Sequence, residues 1–416
     1  MTDTHISSAF DVFARIAEPE ARRDPYPFLR ELREKEPVHR TAAGFWLVSS
    51  HTDAQAVLAG ADRLFASPDR ERLEQQFPPA VEHSSTAVLM ESLPLRNPPE
   101  HTRLRRLVAR EFTPRRVDAL RARMAEICDR LLDAVEEPLR DGETVDLHAA
   151  LSEPFTLQVF AELLGVPESD RGWLAETVLD IVAGVTDVSR ELLARADART
   201  DELATYFTEL AAARRSDPRG DLVSALVRTH DEDPDRLDER ELFGMLWILW
   251  IVGFEGTAAA LDHAVRALFA HPGTGHWLRQ GQPEALAFAE EVLRWSGPEL
   301  ISSVPRIAAE DVVLSGTPIP AGSDVRVVIA AANRDPAAFP DPDRFDPARD
   351  NSTHLAFGHG IHHCLGAFLV RAELSTALPR LHTRFPELSE GGEPGWRQAR
   401  VMRMPTDLPV RLEARG

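Results

Sequence analysis

Three histidines and a cysteine fall within one short run, Phe357-Gly358-His359-Gly360-Ile361-His362-His363-Cys364-Leu365-Gly366. Beyond Leu365, apolar residues at Phe368, Leu369, Ala372, Leu374 and Leu378 recur at helical spacing, so a helix is predicted to start just after the cysteine. Cys364 then lies where free backbone N–H groups and the positive end of the helix dipole converge, a setting that favours thiolate over thiol. Gly360 permits a turn with positive φ, Gly366 lets a flat group approach the helix backbone, and Phe357 supplies a ring to shield the sulfur. A planar cofactor needs all three.

Three chemistries compete for these residues. Zinc could draw on His359, His362, His363 and Cys364, but they crowd together without the paired C-x-x-C or H-x-x-x-H spacings of tetrahedral sites. A cysteine nucleophile with a histidine base gains nothing evident from the flanking glycines. A haem iron held by thiolate uses every position. The pattern F-x-x-G-x-H-x-C-x-G, met by Phe357, Gly360, His362, Cys364 and Gly366, resembles the haem-ligand loop of the cytochrome P450 monooxygenases of the soluble bacterial type. The resemblance implies haem b with Cys364 as axial ligand, cradled by Phe357, Gly358, His362 and Gly366.

The elements that must position such a centre follow from the rest of the chain. Its 416 residues contain no repeat and no Gly/Ser linker, and ordinary hydrophobic and charged fractions predict a large globular core. A net charge of -20 argues against nucleic acid or an anionic membrane surface as partner. Cys128 and Cys364 are the only cysteines, no secretory pattern is evident, and residues 1–20 read as a loose lead-in, so a cytoplasmic protein is expected. Cys128 shares an apolar stripe with Met124, Ile127, Leu131 and Leu132, which marks a buried core thiol.

Leu237-Asp238-Glu239-Arg240-Glu241-Leu242 carries the signature of a helix start: Asp238 as cap, Glu241 as its reciprocal partner, Leu237 and Leu242 as a staple. Nothing stops that helix before His271-Pro272, so it is predicted to run about thirty residues and roughly 45 Å. Its apolar stretch Leu242–Leu261 is long enough for a membrane span, but Glu255 interrupts it and no basic flank orients it, which favours a buried core helix. Two glycines and a carboxylate inside it, Gly253, Glu255 and Gly256, are costly without a purpose. One purpose is a helix-crossing notch with Glu255 in a core ion pair. The other is an opening of the helix where Glu255 moves protons.

Val252-Gly253-Phe254-Glu255-Gly256-Thr257 resembles the family's oxygen-binding motif, A/G-G-x-D/E-T-T, which implies catalytic roles for Glu255, Gly256 and Thr257 and a substrate-lining place for Val252 and Gly253. The sequence departs from the motif at Gly256, where the family usually carries threonine. Thr257 is one residue further, about 100° round the helix. A substrate hydroxyl or an ordered water is expected to fill the gap.

Further landmarks stand in the family's order. Asn97-Pro98-Pro99-Glu100 opens a basic helix whose His101 and Arg105 share a face; on its own this is a solvated surface, while the resemblance implies partners for a haem propionate, with Arg306 as the other. Glu291 and Arg294 match the family's E-x-x-R pair, with Arg344 in the following proline-rich stretch as their candidate third member. Residues 299–303 read as extended chain, and the resemblance makes Leu300, Ile301 and Ser302 substrate-lining, with Met402 returned to the pocket by a C-terminal hairpin.

The expected architecture is one mainly α domain over residues 1–416 with a minor β region: the cytochrome P450 fold, a long central helix over the haem. The implied activity is O2-dependent hydroxylation or epoxidation of a small organic substrate in secondary metabolism. Electrons are expected from a ferredoxin and a ferredoxin reductase, since no flavin or iron–sulfur motif is present; a monomer away from membrane and nucleic acid is expected. The alternatives are a peroxide-driven oxygenase and a haem-binding or gas-sensing protein without turnover.

Overall fold

A computed structural model describes residues 15–16, 18–76, 82–186, 189–398 and 401–413; most of the lead-in expected over 1–20 lies outside them. The chain divides into two compact units, one of Met1–Ala66, Cys128–Ser152 and Gly256–Gly416, the other of Ser67–Ile127 and Glu153–Glu255.

The first unit holds the strands found among the described residues. They are β1 (Val38–Arg40), β2 (Trp46–Val48), β3 (Phe65–Ala66), β4 (Val145–Asp146), β5 (Arg306–Ala308), β6 (Val312–Leu314), β7 (Thr317–Ile319), β8 (Asp324–Val327), β9 (Leu388–Glu390) and β10 (Pro409–Leu412). A five-stranded sheet runs β1-β2-β8-β5-β3, with β2 and β8 parallel and the other pairs antiparallel. Its β-branched residues Val48, Val325 and Val327 pack with Val57, Leu58 and Ile319, the burial that favours such side chains in strands. Strand β8 ends at Val327, after which Ile329–Ala332 coils into a helical turn. The β6–β7 hairpin turns at Ser315 and Gly316, with φ of 44° and 76°, and Thr317 and Pro318 open β7.

In the same unit, the helix Gln282–Ser296 buries the Glu291–Arg294 pair. Both side chains are fully buried, with Arg294 Nη2 2.7 Å from Glu291 Oε1, and Arg294 also donates to the carbonyls of Asn333 and Pro342. Arg344, the arginine expected to complete this group, instead points outward and lies 3.5 Å from Asp346. Arg349 takes the place, 3.7 Å from Glu291, because its guanidinium is curled inward onto the carbonyls of Pro340, Asp341 and Arg344. Cys128 is fully buried, and burial pushes its thiol up to about 12.

The second unit is helical among its described residues, with Glu100–Val108, Glu153–Leu164, Arg190–Ser216 and Glu239–Val252 among its elements. Asp238 and Glu241 form the expected capping box at the head of Glu239–Val252. Trp247 donates to Thr200 and Trp250 to the Leu174 carbonyl, which satisfies both indole N–H groups in the core. The helix is not continuous to His271 as expected: it is interrupted at Gly253-Phe254 and resumes as Glu255–Ala270. By length and composition Glu239–Ala270 would cross a membrane, yet 72% of its most apolar window is buried inside the protein. That is the burial of a core helix.

Candidate active site

The cysteine loop is built by short-range hydrogen bonds and two left-handed glycines. Gly358 and Gly360 adopt φ of 69° and 73°, and the Cys364 amide donates to the Phe357 carbonyl at 2.8 Å. A Cβ at Gly360 would stand 2.6 Å from the Leu58 carbonyl oxygen, so this position needs glycine for close approach as well as for φ. The loop ends in a turn at Gly360–His362 and feeds the helix Ala367–Arg384 through Gly366. Cys364 is exposed at the loop's end. Among the described residues no group of three or more His, Cys, Asp and Glu gathers to hold a metal ion, so the histidines of the loop do not converge on its cysteine.

Phe357 is buttressed from behind. Arg371 lies over its ring at 4.5 Å and His354 stands 5.8 Å from it, while both bind Glu290, His354 Nε2 at 2.9 Å and Arg371 Nη2 at 3.0 Å. Burial alone would raise the Glu290 carboxyl, but the hydrogen bonds from His354 and Arg371 overturn this and hold it at about 2. The ion pair therefore fixes the face of the loop that carries the aromatic ring.

Most of the predicted stripe on the following helix is core: Leu369, Ala372, Leu374 and Leu378 are at most 2% exposed. Phe368, counted in that stripe, is 48% exposed and belongs to the outer face. Glu373 was not anticipated, although it interrupts an otherwise apolar buried face between Ala372 and Leu374, which is the signal that marks it. Its carboxyl is 1% exposed, and burial drives it well above the ordinary carboxylate range, with the Thr257 hydroxyl facing it and pulling the other way.

Thr257 and Gly256 belong to the first turn of Glu255–Ala270. Thr257 is 5% exposed, whereas a Cβ at Gly256 would meet only the Met402 methyl, at 3.5 Å. Gly256 is thus a place where side-chain volume is missing, not a packing notch. Gly253 is the opposite case: a Cβ there would be 2.3 Å from the Phe160 ring, so close packing explains that glycine. Val252 beside it is 60% exposed, and Glu255 is half-buried.

Met402 reaches Gly256 from a C-terminal hairpin whose base is the Trp396–Pro405 bridge and whose far side bridges Glu299. The same hairpin orders the extended run before β5, since Leu300 and Ile301 donate to the Val401 carbonyl. Leu300 and Ile301 are 2% and 0% exposed and pack with Tyr26, Phe28 and Leu29, and the Ser302 hydroxyl accepts from the Val327 amide. Arg306 opens β5 at 5% exposure, and burial lowers its guanidinium to about 10. In the second unit, His101 is 1% exposed and Arg105 half-buried, one turn apart on the same helix. His362 lies in the turn that precedes Cys364.

The donor set fits a haem. A soft sulfur stands exposed at a helix entrance; the nearest atom to a Cβ at Gly366 would be that sulfur, at 3.9 Å, which leaves open space over the helix end for a flat ring; and a buried arginine suits a carboxylate.

Comparison with known proteins agrees. The family profile named Cytochrome P450 matches residues 45–395. The chain is 44% identical to cytochrome P450 BJ-3 of Bradyrhizobium diazoefficiens over 98% of its own length and 97% of that protein. It is 37% identical to the 6-deoxyerythronolide B hydroxylase of Saccharopolyspora erythraea, covering 93% of this chain and 95% of that one. Its structure superposes on myxobacterial CYP267B1, solved in complex with myristic acid, with a TM-score of 0.85 and 34% identity, covering 97% of this chain and all of that one. The chain belongs to the cytochrome P450 family. It is a haem-thiolate monooxygenase with haem b as cofactor, on a mainly α fold with a minor β region.

Proposed function

We propose that this P450 hydroxylates or epoxidises a small, largely apolar secondary metabolite that carries a hydroxyl near the carbon attacked. The observation that carries the substrate feature is Gly256, where the described structure leaves room beside Thr257 and Met402 for a group the protein does not supply. The hydroxylase named among the relatives supports the reaction type.

Haem b, when bound, supplies the oxygen-activating iron that the thiolate tunes. Cys364 holds the iron, with Phe357, Gly358, His362 and Gly366 shaping its loop. Arg306, His101 and Arg105 neutralise the propionates. Glu255 and Thr257 hand protons inward, with buried Glu373 behind Thr257 as a reserve, and Gly256 leaves the substrate hydroxyl a place in that relay. Val252, Gly253, Leu300, Ile301, Ser302 and Met402 border the substrate, the whole chain 1–416 serving as one catalytic domain. A ferredoxin and its reductase supply electrons in the cytoplasm to a monomeric enzyme.

The test is turnover of a panel of candidate substrates, each with a paired deoxy analogue lacking the hydroxyl, driven by surrogate ferredoxin and reductase. The reading predicts that the deoxy analogue still binds but diverts electrons away from product. Equal coupling for both members of a pair contradicts it, and turnover only with added peroxide favours a peroxide-driven oxygenase.

A further inference from the structure

Glu299 heads the extended run before β5 and takes no part in the proton relay. Its pairing with Met402 fixes the direction of its side chain. The Leu300 amide donates to the Val401 carbonyl at 2.8 Å and the Arg403 amide to the Pro298 carbonyl at 2.7 Å, so Glu299 and Met402 face each other in the antiparallel bridge between those two bonds. Residues opposed in this way, without hydrogen bonds to each other, stand about 4.5 Å apart at Cα with both side chains on the same face. On that face the Met402 methyl reaches to 3.5 Å from where a Cβ at Gly256 would stand. The Glu299 side chain therefore leaves the backbone on the face that Met402 turns toward the start of the helix Glu255–Ala270.

The carboxylate is only half committed. Its Oε1 accepts from the Ser303 amide at 3.1 Å and from the Ser303 hydroxyl at 2.8 Å. Among the described residues Oε2 has neither a hydrogen-bond donor nor a cation to face. Arg403, the next residue of the hairpin, alternates to the opposite face and donates to the Arg22 and Arg23 carbonyls. Ser303 is exposed and Glu299 half-buried, yet burial is the main influence on the Glu299 carboxyl and raises it against the pull of the Ser303 hydrogen bonds. A carboxylate with that much accessible surface on the outside of the protein would be hydrated, so the surface that Glu299 keeps is turned inward.

The two donors on Oε1 favour the ionised form. An ionised carboxylate removed from bulk water is costly until a cation joins it. A substrate hydroxyl could donate to Oε2 but would leave the charge unmatched, and a substrate carboxylate would be repelled. An ammonium group both donates and neutralises. The net charge of -20 also draws cations toward this chain. We propose that Glu299 is a specificity-determining residue for a substrate bearing a protonated amine, with Oε2 pairing the ammonium group beside Met402 while Ser303 holds Oε1. The inference rests on the reading that this stretch and Met402 border the substrate, and it adds an amine to the substrate class proposed above.

The test is titration of the haem-loaded ferric protein with N,N-dimethyloctylammonium, octanol and octanoate, which share one apolar chain and differ in the charge of the head group. Binding is read from the Soret shift and by calorimetry, without turnover. The ammonium probe is expected to bind tighter than octanol by about tenfold or more, with octanoate the weakest. Glu299→Gln should remove that preference and leave octanol binding unchanged, whereas a merely structural role would weaken all three probes alike. If Glu299→Gln does not fold, Ser303→Ala, which removes one of the two hydrogen bonds to Oε1, should narrow the preference. An ammonium probe that binds no tighter than octanol, or a preference that survives in folded Glu299→Gln protein, would overturn the proposal. If octanol and the ammonium probe shift the Soret band at equal concentrations, the placement of this stretch beside the substrate stands and the amine anchor fails. If no probe shifts the band, that placement fails and the proposal falls with it.

Discussion

Glu290→Gln isolates the ion pair that buttresses the cysteine loop. The carboxylate sits between His354 and Arg371 with 17% of its side chain exposed, and its pKa is about 2 against an ordinary 4.5. That gap, at about 1.4 kcal/mol per pH unit, amounts to about 3 kcal/mol of native-state stability at neutral pH. Because the folded pKa lies below the unfolded one, the contribution is complete above about 4.5 and is lost as pH falls toward about 2. Glutamine keeps the shape and removes the charge, so the variant should be less stable than wild type by about 3 kcal/mol at pH 7 and by about half as much near pH 3. Urea unfolding of the haem-loaded proteins, followed at the Soret band and by far-UV circular dichroism, measures both values. The variant should also lose its Soret signature before its secondary structure, since Phe357 is no longer braced. A loss below about 1 kcal/mol at pH 7, or one that does not shrink with falling pH, would refute the reasoning.

Four other substitutions probe the helix and its neighbours. Gly253→Ala should destabilise by about 1–3 kcal/mol because its Cβ overlaps the Phe160 ring, whereas Gly244→Ala, with nothing within 4 Å, should be neutral or stabilising by up to about 1 kcal/mol; urea midpoints compare them. Gly256→Thr should fold normally, given the room at that position, but weaken substrate binding as read by the Soret shift; improved coupling with binding unharmed would count against assistance by the substrate hydroxyl. Glu373→Gln should gain stability relative to wild type as pH rises above about 4.5, because a carboxyl with a raised folded pKa costs stability once the unfolded chain can ionise; an unchanged difference between pH 5 and 8 would contradict its burial as a neutral acid.

What the sequence made legible was local. The glycines and cysteine of the loop, the Asp238–Glu241 cap and the Glu291–Arg294 pair each depend on neighbours a few residues away, and each takes the form its spacing implies. The interruption at Gly253-Phe254 was foreshadowed by the glycine pair, but only the placement of Phe160 reveals that the two glycines serve different ends. Tertiary path governed the rest. Arg344 and Arg349 share one proline-rich stretch, and which of them curls toward Glu291 depends on carbonyls that spacing does not orient. Phe368 fits the helical period yet faces outward, and Glu373 is a charged residue on a buried stripe, an irregularity in the pattern to which only its tertiary surroundings give meaning.

The central claim is that Cys364, delivered by this loop, is the thiolate that holds the haem iron. The direct measurement is the carbon monoxide difference spectrum of the reduced, haem-loaded protein and of Cys364→Ser. Wild type should show the strongly red-shifted Soret band of a thiolate-ligated haem, and Cys364→Ser should lose it while retaining the fold. A thiolate band that persists in Cys364→Ser, or an imidazole-type band in wild type, would contradict the account.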